Sequence, residues 1–431
     1  MKKIIILISV IALLVSTGYT QSIFSGAENG IGLRQYISTT RGLGMGGTGL
    51  ALRDSISLNP QNLASWRYIK NTRINISARY DHVNTEVFNQ NFTSRNGNFN
   101  GLQLAIPIKS NQFFLGGSIT PYSLTNFGFT LNYDTGDHTY EENVFYEGNI
   151  SKAHLGLIWA TNSWLSLSAG LNYFFGSITD RYYLFFDDPA ISDDFYEINY
   201  QFQGPGIGTS IHLNFLKNLY VGGFIDLKPD INFTRKTLSS ITFQEETEKI
   251  NTSFPIFMGI GGSYQFHRQW TISSDFAYQN WDKNLDDKKK VENLETFYHI
   301  GIGIEHSHSS DKKRSFLNKF DTRLGFSTRN VGYLFQAESI REYAGHFGLG
   351  FPFFHNFARF DIAFIAGIRG EIRGHEVAAF VCNRRKHPVR IGLGVFVEDD
   401  GDGLPRLPAG SGDEYELSGS VVNVICRHRG R

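Results

Sequence analysis

Polar and apolar residues alternate with a period of two along most of the chain, which predicts β-strands rather than helices. From Arg73 to Tyr80, Ile74, Ile76, Ala78 and Tyr80 fall on one face, and Arg73, Asn75, Ser77 and Arg79 on the other. Leu102, Leu104, Ile106 and Ile108 repeat the apolar face. So do Leu165, Leu167, Ala169, Leu171 and Tyr173, and then Ile207, Thr209, Ile211 and Leu213. The pattern predicts thirteen strands, near 72–82, 98–108, 112–121, 147–160, 164–186, 195–214, 219–230, 254–266, 269–281, 296–306, 319–328, 343–353 and 357–369. A soluble β-sandwich alternates in the same way, so alternation alone does not place the chain in a membrane.

Connection lengths discriminate better. Short polar turns at 109–111, 161–163, 217–218, 267–268 and 355–356 alternate with longer polar stretches at 83–97, 122–146, 187–194, 231–253, 282–295 and 329–342. Transmembrane barrels carry short periplasmic turns and long outer loops. The exception is 307–318, a longer link where a short turn is due. An aromatic follows almost every short turn: Phe113, Trp164, Tyr220, Trp270 and Phe357. These five are expected to form a girdle at the periplasmic interface, where amphipathic rings settle. Bacterial single-chain barrels have even strand numbers, so one closing strand should follow the thirteenth.

Three features of the chain strengthen this reading. Lys2 and Lys3 precede an apolar run, Ile4 to Val15, and then Ser16, Gly18 and Thr20, the plan of a secretory signal peptide over 1–20. No later apolar stretch approaches the roughly 20 residues of a membrane helix. The chain has 37 Phe and 20 Tyr, and 41 Lys plus Arg balance 41 Asp plus Glu, so nothing suggests a nucleic-acid partner. An exported, aromatic-rich chain without membrane helices crosses a bilayer as a closed barrel.

Residues 21–70 read differently. Arg41-Gly42-Leu43-Gly44-Met45-Gly46-Gly47-Thr48-Gly49 is glycine-dense, and Asn59-Pro60-Gln61-Asn62-Leu63-Ala64 follows. Gly44, Gly46 and Gly49 match the spacing GxGxxG, but the βαβ unit required for dinucleotide binding is missing. The glycines are expected to take tight or positive-φ conformations against the barrel wall. Asn59 suits an N-cap and Pro60 a first helical position, predicting a short helix through Ala64.

The run Arg41–Leu50, followed by Ser57-Leu58-Asn59-Pro60 and Leu63-Ala64, resembles the start of the FadL-type hydrophobic-compound transporter superfamily. PorV-like proteins of the type IX secretion system share this opening. Gln61 departs from the alanine usual after Asn-Pro. The resemblance implies an all-β transmembrane antiparallel barrel of about fourteen strands over 71–370, with residues 21–70 as a hatch. Gly44, Met45, Gly46, Gly47, Gly49, Asn59 and Pro60 would be the hatch motif. For FadL-type relatives it further implies passive transport of hydrophobic or amphiphilic molecules, with ligand held between hatch and wall. Exit would be sideways through a kinked third strand, and Gly116-Gly117 is the candidate kink in this chain. For PorV-like relatives it implies a docking and shuttle platform for secreted proteins. Expected partners are outer-membrane lipid and lipopolysaccharide, the barrel-assembly machinery, and a hydrophobic small molecule or secreted protein.

No catalytic constellation, cofactor or metal is expected. His306 and His308 lie in a hydrophilic link, and Asp187-Asp188 and Asp193-Asp194 flank an outer loop, so all read as solvated. Residues 371–431 are discordant. Lys and Arg number 16 each up to residue 370, but the tail has one Lys and eight Arg; Phe falls from 35 to two. Both cysteines, Cys382 and Cys426, are in the tail. A natural extension supplying the closing strand, a disulfide-linked appendage and a reading-frame change near residue 371 all remain open. The abrupt compositional shift favours the last.

Overall fold

The computed structural model describes residues 31–381 except 88–89, 110, 135–138, 190, 228, 241–245, 282–293, 309–319, 336–337, 354–357 and 371–377. Residues 1–20, expected to be a signal peptide, residues 21–30, Phe357 and nearly all of the tail therefore lie outside the described residues. The chain divides into Met1–Ile391 and Gly392–Arg431, and the second unit is wholly outside them.

One antiparallel sheet of seventeen strands accounts for nearly all of the described chain. After the two-residue β1 (Leu33–Arg34) come β2 (Arg73–Val87), β3 (Gln90–Lys109), β4 (Phe113–Asp134), β5 (Thr139–Ala160), β6 (Leu165–Phe186) and β7 (Asp194–Leu216). They are followed by β8 (Leu219–Asp226), β9 (Asp230–Ser239), β10 (Glu246–Ser253), β11 (Phe257–His267), β12 (Trp270–Gln279) and β13 (Phe297–His306). The series ends with β14 (Asp321–Phe335), β15 (Glu338–Phe353), β16 (Ala358–Arg369) and β17 (Ala378–Val381). From β2 to β7 and from β11 to β17 neighbours pair in sequence order; between them β7 pairs with both β8 and β9, β8 with β11 and β9 with β10, and β1 lies on β4. The ring closes where β17 pairs with β16 on one edge and β2 on the other.

Alternation survives in the burial pattern. Ile74 and Ile76 are 64% and 66% exposed, and Leu155, Leu157 and Leu171 also point outward. Between them Asp180, His212, Asp275 and Arg323 point inward and are buried. A belt of exposed aliphatic side chains around a polar interior is what a lipid-facing wall requires.

The wall is taller than the sequence pattern predicts. Residues 122–146 are mostly strand, with Ser123 to Asp134 paired against Thr139 to Ile150. The stretches 83–97, 231–253 and 329–342 likewise extend the hairpins β2–β3, β9–β10 and β14–β15. In these extensions the pattern is uneven: Phe127, Phe129, Leu131 and Tyr133 keep the period of two on β4, whereas Thr139 to Tyr146 on β5 has no consistently apolar phase. Pro229 and Pro255 lie in adjacent breaks, between β8 and β9 and between β10 and β11, as expected for residues that cannot donate to a ladder. Phe254 N–H donates to the Pro229 carbonyl at 3.2 Å across them.

Two short helices lie in the N-terminal segment. α1 (Thr40–Leu43) is capped by Thr39, whose hydroxyl accepts from Gly42 N–H. The expected helix from Pro60 is corrected to a 3-10 helix at Leu63–Tyr68 with Asn62 as N-cap. Asn59 instead accepts from Gln61 N–H at 2.9 Å through its side chain, which makes a turn, and its carbonyl accepts from Trp66 Nε1 at 2.8 Å.

Candidate functional site

Residues 31–70 pack against the inner side of the wall, and the glycine run is the tightest part of that contact. Gly46 and Gly47 have φ of 78° and 80°, conformations that glycine takes without strain. A Cβ on Gly46 would run into the carbonyl oxygens of Ile302 on β13 and Phe326 on β14. The wall answers with its own glycines: Gly303 and Gly325 face Met45 and Gly46, Gly348 faces Gly44, and Gly222 and Gly261 face Leu50. Backbone lies directly on backbone. Asp275 then accepts from the N–H groups of Gly49 at 2.7 Å and Leu50 at 2.9 Å. Met45 and Leu50 are fully buried.

An ionic network fastens the same segment. Arg41 reaches Glu305 at 2.5 Å and Asp54 at 2.8 Å, and Asp54 is held from the other side by Arg359 at 2.8 Å. Arg323, whose side chain has no exposed surface, bonds Glu305 at 2.6 Å, Asp361 at 2.7 Å and Asp321 at 3.1 Å. Burial opposes ionisation of Asp54, but the charges of Arg359 and Arg41 outweigh it and hold that carboxyl well below the usual range. His308, expected to be a solvated link residue, is bonded to Asp321 at 2.7 Å. The network was not foreseen. Its only sequence signal is acidic and basic residues at inward-phase positions.

The wall has a seam between β3 and β4. Their ladder starts beside the short turn and ends at Leu102↔Ile119; among the described residues no backbone pairing joins them beyond it. Each strand bulges there. Asn100 is skipped in the β2–β3 register, with Gly101 at φ 155°, and Tyr122 is skipped in the β4–β5 register after Pro121. Bulges re-aim strands and end pairing. Farther up, Asn126 Nδ2 donates to Asn96 Oδ1 at 3.2 Å and bridges the two strands again.

The N-terminal segment occupies the freed edge of β4. Leu33 and Arg34 pair with Leu124 and Ser123, and Gln35 N–H donates to the Tyr122 carbonyl at 3.0 Å. The Arg34 guanidinium lies 3.6 Å from the Tyr122 ring centroid and 4.4 Å from that of Phe257, and donates to Gln279 at 2.9 Å. The expected kink at Gly116-Gly117 is corrected. Both glycines stay in unbroken register with β3 and β5. Gly116 instead makes room for Trp66 and Leu63 of the 3-10 helix.

Behind the seam the interior is apolar. Leu33, Tyr122, Phe174, Phe202, Phe254 and Trp281 belong to one buried cluster, with Tyr122 stacked on Phe254 at 5.0 Å and 4°. A barrel interior is ordinarily polar. A cavity of about 80 Å³ between N-terminal segment and wall has a mixed lining, with Arg79, Asp81 and Glu342 beside Leu33, Val83 and Ile365.

Of the expected girdle, Phe113, Trp164 and Trp270 are exposed on the outer face, at 39%, 47% and 38%. Tyr220 is a correction. It is 4% exposed, points inward, and accepts from Arg53 at 3.3 Å. Trp159, not foreseen, takes an outward place and stacks on Phe113 at 6.3 Å and 8°.

The model of the BamG family matches residues 1–378. The chain belongs to the BamG family. Its last 53 residues lie beyond the match. No curated protein matches the chain. Among solved structures it is similar to the Ralstonia pickettii toluene transporter TbuX, at 15% identity and a TM-score of 0.52, covering 81% of this chain and 98% of that one. A Pseudomonas aeruginosa FadL homologue gives 11% identity and a TM-score of 0.56 over 81% and 98%. The CymD monoaromatic hydrocarbon channel gives 14% and 0.52 over 80% and 95%. At such identities the likeness carries the fold: this BamG-family chain has the FadL-type architecture.

Proposed function

We propose that the protein is an outer-membrane channel for hydrophobic or amphiphilic small molecules, which leave sideways through the β3–β4 seam. The seam carries this reading. It interrupts backbone pairing on a face that otherwise presents exposed aliphatic side chains to lipid, and an aromatic-lined interior lies directly behind it. Unpaired strand edges in a bilayer cost several kcal/mol per unsatisfied group, so an unserved gap of this kind is unfavourable. The partial cover supplied by β1 is consistent with a closed state. Leaving out β1 and counting β8–β9 and β10–β11 as one strand each gives a fourteen-strand wall, with residues 31–70 as its hatch. The neighbours support this direction: TbuX is a toluene transporter and CymD a monoaromatic hydrocarbon channel.

Ligand would sit where Ile31 and Leu33 of the hatch meet the wall residues Tyr122, Phe174, Phe254 and Trp281. Cells expressing the chain are expected to accumulate a labelled monoaromatic hydrocarbon faster than cells lacking it. Equal rates would contradict transport.

A second reading rests on the family name, whose Bam stem is that of the barrel-assembly machinery. A subunit role there predicts stoichiometric co-purification with that machinery and a general loss of outer-membrane barrels on deletion. The secretion-platform expectation gains no support from these similarities.

A further inference from the structure

The outer face carries two adjoining apolar concavities. The smaller, about 500 Å³, is walled by Leu102, Ile119, Leu155, Leu171 and Tyr173 and reaches the foot of the seam. The larger, about 960 Å³, is walled by Leu157, Leu167, Ile211, Ile225 and Ile260 and floored by Ala169, Thr209 and Gly223. Their linings come within two residues of each other on β5, at Leu155 and Leu157, and on β6, at Leu171 and Ala169, which pair as Leu155↔Leu171 and Leu157↔Ala169. The lower end is the stacked Phe113–Trp159 pair, among the rings expected at the periplasmic interface.

We infer that this groove is a binding site for the acyl tail of a phospholipid in the periplasmic leaflet. Its location and shape identify the occupant. The groove lies within the exposed aliphatic belt, so in the proposed membrane setting acyl chains are the surrounding medium. A flexible chain settled over the small floor residues touches wall on three sides and gains dispersion contacts that a flat wall does not offer. A partner barrel presents a convex face and would leave that floor empty, forfeiting those contacts. At the lower end, Trp159 lies where headgroups begin, as aromatic rings at the interface do. The tail would run from that interface toward the seam, lining the exit assigned above. The lipid site itself does not depend on transport.

The test is native mass spectrometry of the full chain purified from outer membranes, with bound phospholipid read after detergent exchange. Compared with it are Thr209→Phe, Ala169→Phe/Thr209→Phe, and Ile74→Phe on the exposed face of β2. Folding of each is read separately by gel shift on boiling. The wild type and Ile74→Phe should retain phospholipid. The Thr209 variants should retain at least about tenfold less, corresponding to about 1.4 kcal/mol. If the double variant does not fold, Thr209→Phe alone decides. Equal retention by folded wild type and Thr209→Phe, or no lipid on the wild type, would overturn the site. Hydrocarbon uptake measured on the same variants separates the two ideas, since lipid loss with uptake intact leaves the site standing, and uptake failure in the wild type touches only the channel.

Discussion

At the residue scale, the seat of the N-terminal segment depends on contacts that admit no side chain. Gly46→Val should destabilise the folded barrel by about 2–6 kcal/mol, combining positive-φ strain with overpacking. Gly262, which has open space where a Cβ would go, supplies the contrast: Gly262→Ala should leave the heat-modifiable fraction near wild type. Arg323→Met should cost roughly 3–5 kcal/mol, because Glu305, Asp321 and Asp361 would remain buried without it. The Asp54 carboxyl titrates lower in the folded state than in the unfolded one, so its contribution is complete above the unfolded value and fades as pH falls toward the folded one. Asp54→Asn should therefore be less stable than wild type at neutral pH, with the difference shrinking only in strong acid. Thermal midpoints of the gel shift across pH would measure this. The glycine run was legible as a packed, positive-φ segment because glycine density has few other uses. Its ionic partners were not, because charges some 250 residues apart, such as Arg41 and Glu305, announce no pairing.

At the scale of elements, strands in the lipid belt were legible wherever one face is apolar, as at Arg73–Tyr80. The upper half of β5 was not, since from Thr139 to Tyr146 neither face is consistently apolar, and β4 was cut short although Phe127, Phe129, Leu131 and Tyr133 carry its alternation onward. Tyr220 was misread by counting from the turn. The inward set Tyr220, Phe224 and Asp226 shares one phase, and the acidic residue in it was the available signal. A break in the wall was expected at the glycine pair, whereas the β3–β4 ladder ends at bulges at Asn100 and Tyr122, beside Gly101 and Pro121. β1 is held on β4 in part by the Gln35 N–H bond to the Tyr122 carbonyl. Gln35→Pro removes that donor, and hydrogen exchange at the amides of residues 123–125 should then accelerate. Unchanged exchange would mean that β1 does not protect this edge.

At the scale of the whole molecule, closure rests on a short element. β17 pairs over only Ala378–Val381, and the family match ends at residue 378, close to the compositional break at 371. We propose that the sequence beyond it replaces the original closing strand through a reading-frame change. A chain with the alternative frame restored should then give a larger heat-modifiable fraction than the chain as it stands. Peptides from the tail recovered from an unbroken natural reading frame would sink that idea.

Lateral exit is proposed to run through the β3–β4 seam, and a reversible latch across that seam would block it. Asn96→Cys and Asn126→Cys, in a background with Cys382 and Cys426 changed to Ser, place two thiols where the side chains already touch. Uptake of a monoaromatic hydrocarbon should fall when the disulfide forms and recover on reduction, with the gel shift unchanged throughout. Uptake that ignores the latch, in protein shown to be cross-linked, would mean that the hydrocarbon does not leave through the seam.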